Sequence, residues 1–406
     1  MTVGTEQAAP RTARGRTVPD GVWIGVLALL TAVAPLATDM YLPVLPTVAT
    51  ELGASASAAQ LTLTAFLVGL AVGQLVIGPL SDSWGRRRLV LAGTVLLFVA
   101  CLASAVAPSV AVLVVARFLQ GFGGAAGLVL SRAMISDRTA GARTAQLFSL
   151  MMAINGIAPV IAPVIGSSLG GVVGWRGIFV VLAGLALLML VSSLLAVHET
   201  LPAPARTSGG VRRTFADVGA LLRRRRYVGY VLAFATSFSM MFAYISGSPF
   251  VLQQTLGLST TQYALAFGTN AAGLVLGNIV SSRLAARVAP RRQLVVAVGG
   301  LVVLCAALLV VVLLGAARWP VLVLLFATLA TLGFVMGNSA ALATGEVRDR
   351  AGTGSALLGA TQFGLGALVS PLVGSSATAM AVTMLTAATL SAVSLTALTR
   401  GATAPR

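Results

Sequence analysis

The chain has 406 residues, a formal net charge of +17 and a mean hydropathy of +0.97, with 57% hydrophobic and only 9% charged residues. All 27 basic residues are Arg, so the Lys of a phosphate-cradling Walker loop is missing, and the single His198 excludes an HExxH or multi-His metal site. Cys101 and Cys305 sit inside apolar runs, which argues against a disulfide framework; no catalytic residue, metal or cofactor is expected, and the chain does not read as an enzyme.

In chain order, residues 1–21 form a polar, Arg- and Pro-containing tail. The apolar run after Trp23 is too long for a signal-peptide core and is followed by YLPVLP, not a small-residue cleavage site. A helix needs roughly 20 residues to cross a bilayer. Twelve segments meet that length: 22–45, 59–80, 88–108, 110–132, 144–169, 177–197, 227–250, 262–283, 293–315, 320–343, 353–375 and 377–398. The expected fold is all-α and polytopic, with six-helix bundles at 22–197 and 227–398. The linker 198–226, rich in Pro, Gly and Arg, joins them, and 399–406 is a second tail.

Charge sets the orientation. With both termini cytoplasmic, 24 of the 27 Arg residues fall on the inner side; Arg176 and Arg318 lie outside, and Arg117 lies within a span. This is the positive-inside pattern of a multi-pass protein of the plasma (inner) membrane. The run Arg223–Arg226 then reads as topology and contact with anionic membrane lipids, with no nucleic-acid partner.

The halves echo each other. SSRLAARVAPRRQLV at Ser281–Val295 resembles SDSWGRRRLVL at Ser81–Leu91, and both Arg88/Arg292 and Cys101/Cys305 are 204 residues apart. Parallel duplication of six-helix halves is a transporter architecture, with substrate held near the midplane between them.

Ionisable groups inside a membrane are costly and mark function. Asp39 is the only carboxylate well inside a predicted span, and Arg117 the only cation far from a cytoplasmic end. Each lies seven residues from the expected outer end of its helix, or roughly 10 Å deep at 1.5 Å per residue. Equal depth predicts contact or a water-bridged pairing. A carboxyl balanced between burial, which disfavours its charge, and a guanidinium, which favours it, can change protonation as access alternates. The competing expectation is an Asp at a helix end and an Arg tying two helices together. At the 204-residue offset the counterparts are Ala243 and Val321, so this chemistry is confined to the first half.

Short motifs carry a family resemblance. GPLSDSWGRRR at Gly78–Arg88 resembles the loop between helices two and three of the major facilitator superfamily, matching at Gly78, Leu80, Asp82, Gly85, Arg86 and Arg87 but with Ser83 where Arg is usual. TDMYLPVLP at Thr38–Pro46 and QLTLTAFLVGLAVGQLVIGPLSD resemble the Bcr/CflA group of proton-coupled multidrug exporters. LVVARFLQGFGGA at Leu113–Ala125 resembles the motif associated with proton transfer, falling on Arg117, Gln120 and Gly121. NGIAPVIAPVIGSSLGG at Asn155–Gly171 resembles the antiporter motif, carried here by Gly156, Pro159, Pro163, Gly166 and Gly170; GWRGIF and HETLP also fit.

The resemblance implies a twelve-helix, proton-coupled exporter of drugs or antibiotics, monomeric, with Asp39 and Arg117 as the coupling pair. It also implies a conformational latch at Gly78, Asp82, Gly85, Arg86 and Arg87, with Asp82 near a helix N-terminus. Ser83 leaves that latch one cation short. Independently, Pro159 and Pro163 share a helix face, and the glycines around them permit close helix approach. Polar and aromatic residues among the apolar spans make Tyr41, Gln120, Asn155, Tyr244, Ser246, Asn338 and Gln362 candidate substrate contacts. Two other readings stay open: an exporter dedicated to one metabolite or self-made antibiotic, and a membrane sensor or scaffold that transports nothing.

Overall fold

A computed structural model describes residues 20–206, 218–315, 317–347 and 351–399. The predicted tails at 1–21 and 399–406 and the centre of the 198–226 linker lie largely outside these described residues. Every regular element described is helical. In the first half these are α1 (Asp20–Asp39), α2 (Leu45–Glu51), α3 (Ala56–Trp84), α4 (Arg86–Ala105), α5 (Val110–Arg138) and α6 (Gly141–Ala196). In the second they are α7 (Arg225–Phe250), α8 (Thr260–Leu284), α9 (Pro290–Leu313), α10 (Arg318–Gly345), α11 (Ala351–Val373) and α12 (Ala377–Thr399).

Eleven of the described apolar segments are long enough to span a membrane, and one of them, Gln146–Ala196, runs for 51 residues. At 1.5 Å per residue that is about 75 Å, more than twice a hydrocarbon core. It therefore holds two crossings. They meet at Gly174, where the backbone leaves helical geometry (φ 66°, ψ 179°). The twelve predicted crossings are thus present, with 144–169 and 177–197 as the two arms of α6.

Side chains close the short turns. Ser55, Ser109 and Ser259 cap α3, α5 and α8, each accepting a first-turn backbone N–H. Val172, Leu195 and Val296 stand 84%, 74% and 69% exposed, an outward apolar coat that suits lipid rather than water.

In the first half α3 and α4 pack along α5 and α1 along α6; in the second α12 packs along α7, and α9 and α8 along α10. The halves meet where α3 lies on α11 and α6 on α8. Described hydrogen bonds between them gather near the turns that carry few Arg residues. Gln60 at the start of α3 donates through Nε2 to the carbonyls of Ser246 (2.9 Å) and Gly374 (2.7 Å), and its Oε1 accepts from the Gly374 N–H (3.0 Å). Thr64 donates to the Ala367 carbonyl (3.1 Å) and Gln253 to that of Pro43 (3.1 Å).

Candidate functional site

The first crossing is not the continuous helix expected over 22–45. Helix α1 stops at Asp39, a 3-10 turn follows at Leu42–Val44, and α2 begins at Leu45. Pro43 supplies the reason: it has no N–H for the Asp39 carbonyl four residues earlier, and its ring clashes with that carbonyl in a helix. The chain breaks at the residue bearing the buried carboxylate. Irregular backbone at membrane depth is tolerated where protein covers it or it lines a cavity. Here α6 covers it, since a Cβ on Gly166 would collide with the Met40 carbonyl oxygen, and one on Gly170 with the Val44 side chain. Two glycines of the antiporter motif thus make room for the break in α1, and a third, Gly156, faces Val275 of α8 across the two halves.

Asp39 is 4% exposed, and Arg117 on α5 is wholly buried. The expected direct contact between them is not made: no ion pair joins the two. Arg117 Nη1 instead donates to the Ala37 carbonyl (2.9 Å) and to Gln120 Oε1 (2.7 Å). The break explains this geometry. The last carbonyls of a helix lack intrahelical partners and carry the negative end of its dipole, so a guanidinium is drawn to them. The cation is boxed by the rings of Phe66, Tyr41 and Phe179 at 4.4, 5.1 and 5.8 Å. Its Nε and Nη2 are buried without partners. Such ring contacts contribute up to about 2 kcal/mol when desolvated, against several kcal/mol to bury an ion. The Arg117 charge therefore has no counter-ion among the described residues, and the carbonyl that anchors it, that of Ala37, lies two residues before Asp39 on α1.

The substrate candidates fall in different places. Tyr41 is buried, its hydroxyl 3.2 Å from that of Thr62, and Gln120 links Arg117 to the Cys101 thiol (3.1 Å). Tyr244 accepts from Asn270 Nδ2 (2.8 Å) and stacks on Phe267, whereas Ser246 is buried against α11. Asn338 is buried, donating to Ser281 Oγ (2.8 Å). Asn155 and Gln362 are half-buried. Gln74, an amide within an apolar span like Gln120 and Gln362 but not among the candidates, is buried near the α3–α11 seam with an unpartnered Nε2 and its Oε1 over Gly359. A groove of about 440 Å³ opens between α8 and α10, lined by Leu265, Trp319, Leu322 and Phe326 with Asn270 and Arg318 at its polar edge.

The latch residues form one cluster at the Arg-rich end. Arg86 pairs with Asp82 (2.7 Å) and Asp137 (3.1 Å) and donates to Ser81 Oγ. Arg87 donates to the Val197 carbonyl (2.8 Å), and Thr200 to Asp137 (2.8 Å). The carboxylate at the N-terminus of α4 is Glu199, accepting the Arg86 N–H at 2.8 Å, and not Asp82 as expected; Asp82 lies on the last turn of α3 and turns to the Arg86 side chain instead. Gly85 has φ 94°, and a Cβ there would strike the Glu199 carboxylate, so glycine is required twice over. Gly78 lies against Val129 of α5. At the opposite end Arg176 pairs with Glu51 (3.2 Å), which also accepts from the Trp175 indole (2.7 Å). The GWRGIF motif therefore fastens the bend of α6 to α2.

A family model described as Major Facilitator Superfamily matches residues 27–371. The chain belongs to this superfamily: it is a multi-pass membrane carrier and not an enzyme. It is 37% identical over 353 residues to the uncharacterized MFS-type transporter YdgK of Bacillus subtilis, covering 86% of this chain and 87% of that one. It is 28% identical over 354 residues to the bicyclomycin resistance protein homolog of Haemophilus influenzae, covering 87% and 89%. This agrees with the motif resemblance to the Bcr/CflA group. In fold it is similar to an inward-facing, occupied bacterial homolog of the human lysosomal transporter Spinster, with TM-score 0.75, 16% identity and 95% and 98% coverage.

Proposed function

We propose that this carrier exports small lipophilic compounds, drugs or antibiotics among them, in exchange for protons by alternating access. The observation that carries the reading is a buried carboxylate at a break in α1, together with a buried guanidinium that is tied to the Ala37 carbonyl of the same helix and has no counter-ion among the described residues. In the outward-facing state Asp39 takes a proton as the compound leaves. In the inward-facing state the proton departs as the next compound enters. Arg117 keeps its charge throughout and, fixed to the end of α1, transmits the change at Asp39 to α5. The name of the Haemophilus relative supports an antibiotic substrate, and the apolar groove between α8 and α10 supports a lipophilic one. Asn155 and Gln362, with Gln74, are the polar groups placed to meet it between the halves.

The Arg-rich turns face the cytoplasm of the cell's inner membrane in this reading. The described hydrogen bonds between the halves lie near the opposite face, which supports an inward-facing state with Gln60 closing the outer side. The latch around Arg86 then stiffens the cytoplasmic end of the first bundle. The test is efflux of a panel of dyes and antibiotics from proteoliposomes, with and without a proton gradient. Gradient-driven efflux of several unrelated compounds is expected; efflux indifferent to the gradient would overturn proton coupling. Orientation is tested separately with His198→Cys and Ser375→Cys, both exposed, against a background in which Cys101 and Cys305 are buried. Impermeant maleimide should label Ser375→Cys in intact cells and His198→Cys only after lysis.

A further inference from the structure

We propose that a cleft between the first turn of α1 and the α5–α6 turn binds the phosphate of an anionic glycerophospholipid with a hydrogen-bond-donating headgroup. The cleft has a volume of about 320 Å³ and is lined by Asp20, Trp23, Ile24, Arg138, Arg143 and Leu147. It lies at the Arg-rich end of the bundle, apart from both Asp39 and the Arg86 cluster.

Three kinds of donor border the cleft. The Arg138 guanidinium lies 4.4 Å from the centre of the Trp23 ring, which fixes its plane and leaves its N–H groups for another acceptor. Arg143 adds a second guanidinium, and among the described residues neither forms an ion pair. Trp23 is 3% exposed, and its indole N–H is buried without a partner. The N-terminus of α6 supplies the rest: its N-cap is Ala140, which has no side-chain acceptor for the free first-turn N–H groups. The nearby Thr139 hydroxyl is already engaged with the Ile135 carbonyl (2.7 Å) and the Thr144 hydroxyl (2.8 Å). An anion at this helix end is favoured by the dipole as well as by the side chains.

Charge and shape select the occupant. Two guanidiniums against the one carboxylate of Asp20 leave a single positive charge, which one phosphodiester neutralises. Asp20 accepts only, so it suits a headgroup hydroxyl such as that of phosphatidylglycerol. Leu150, one turn along α6 from Leu147, is 41% exposed and continues the apolar floor outward. Acyl chains would follow that surface. Basic pockets between spans on the cytoplasmic side are suited to anionic headgroups.

Native mass spectrometry of the full chain in mild detergent tests this, with phosphatidylglycerol, phosphatidylethanolamine and inorganic phosphate titrated in turn. One retained phosphatidylglycerol per chain is expected. Arg143→Ala should weaken retention by roughly fivefold, the scale of one Arg near an anionic lipid. Trp23→Phe keeps an aromatic ring against Arg138 but removes the indole N–H and part of the ring volume, so a smaller loss of retention is expected, read alongside Tm to show that the protein is folded. Arg291→Ala, in the first turn of α9, should retain lipid like the unaltered chain. Unchanged retention in both Arg143→Ala and Trp23→Phe would overturn the site. Equal retention of phosphatidylethanolamine would overturn the anionic headgroup, and displacement by inorganic phosphate would assign the cleft to a soluble anion instead.

Discussion

The two halves are built on one plan and filled with different chemistry. At the positions of Asp39, Arg117 and Gln120 the second half carries Ala243, Val321 and Leu324, whereas the buried cysteines Cys101 and Cys305 correspond. Pro159, Pro163 and Gly166 of α6 are replaced by Phe363, Ala367 and Ser370 at the equivalent places of α11. The first half is thus bent, broken and charged at its centre. The second half holds neutral polar pairs, such as Asn270 with Tyr244 and Asn338 with Ser281. The difference teaches that duplication supplies the frame for rocking, while the proposed ion chemistry is concentrated in one bundle. On the proposed function, a neutral second half leaves apolar surface for a lipophilic compound.

Breaking the charged half at its centre should have the largest effect. Arg117→Lys keeps the charge but loses the planar guanidinium that packs against the Phe66, Tyr41 and Phe179 rings while its Nη1 reaches the Ala37 carbonyl and Gln120. With hydrogen bonds to charged groups contributing about 1.5–3 kcal/mol, efflux should fall by roughly ten- to a hundredfold at matched expression. Full activity of the Lys variant would mean that Arg117 only ties helices.

The seam between the halves comes next. Gln60→Ala removes the amide bonds to Ser246 and Gly374, at about 0.5–1.5 kcal/mol each. Outward opening should rise about tenfold or more. The readout is impermeant-maleimide labelling of Leu67→Cys, which faces Gly366 across the seam. No change in labelling would remove Gln60 from the outer gate.

A matched pair of substitutions sharpens the comparison further. Gly166→Ala sets a methyl against the Met40 carbonyl and should cost about 1–3 kcal/mol, seen as a lower Tm. Ser370→Ala, its counterpart, loses a long bond to the Gln60 carbonyl (3.3 Å) and should cost about 1 kcal/mol or less. Equal effects would mean that the break in α1 places no special demand on α6.

Much of the frame was legible because membrane crossings are long apolar runs punctuated by charge. The bend at Gly174 was read as a turn between 169 and 177, and Arg86 and Arg87 stood out by density alone. The break at Asp39 was harder to see. Pro43 signals it, yet the apolar run continues through Leu45 and masks the change of backbone. Arg117 was singled out correctly as a buried cation, but its partners are a backbone carbonyl and aromatic rings, which sequence spacing cannot reveal. Gln60, Asp137 and Glu199 escaped for a related reason. Each acts through contacts between distant helices and looks unremarkable among its neighbours in the chain.

The central claim is that Asp39 carries the coupled proton. Asp39→Asn preserves shape and hydrogen-bonding capacity but cannot exchange a proton, and no other carboxylate on the described spans is buried as it is. The direct measurement is proton movement on addition of a transported dye to proteoliposomes holding the Asn variant. The account predicts a protein that inserts and binds dye yet releases no protons and builds no gradient. Proton release equal to that of the unaltered chain would contradict it.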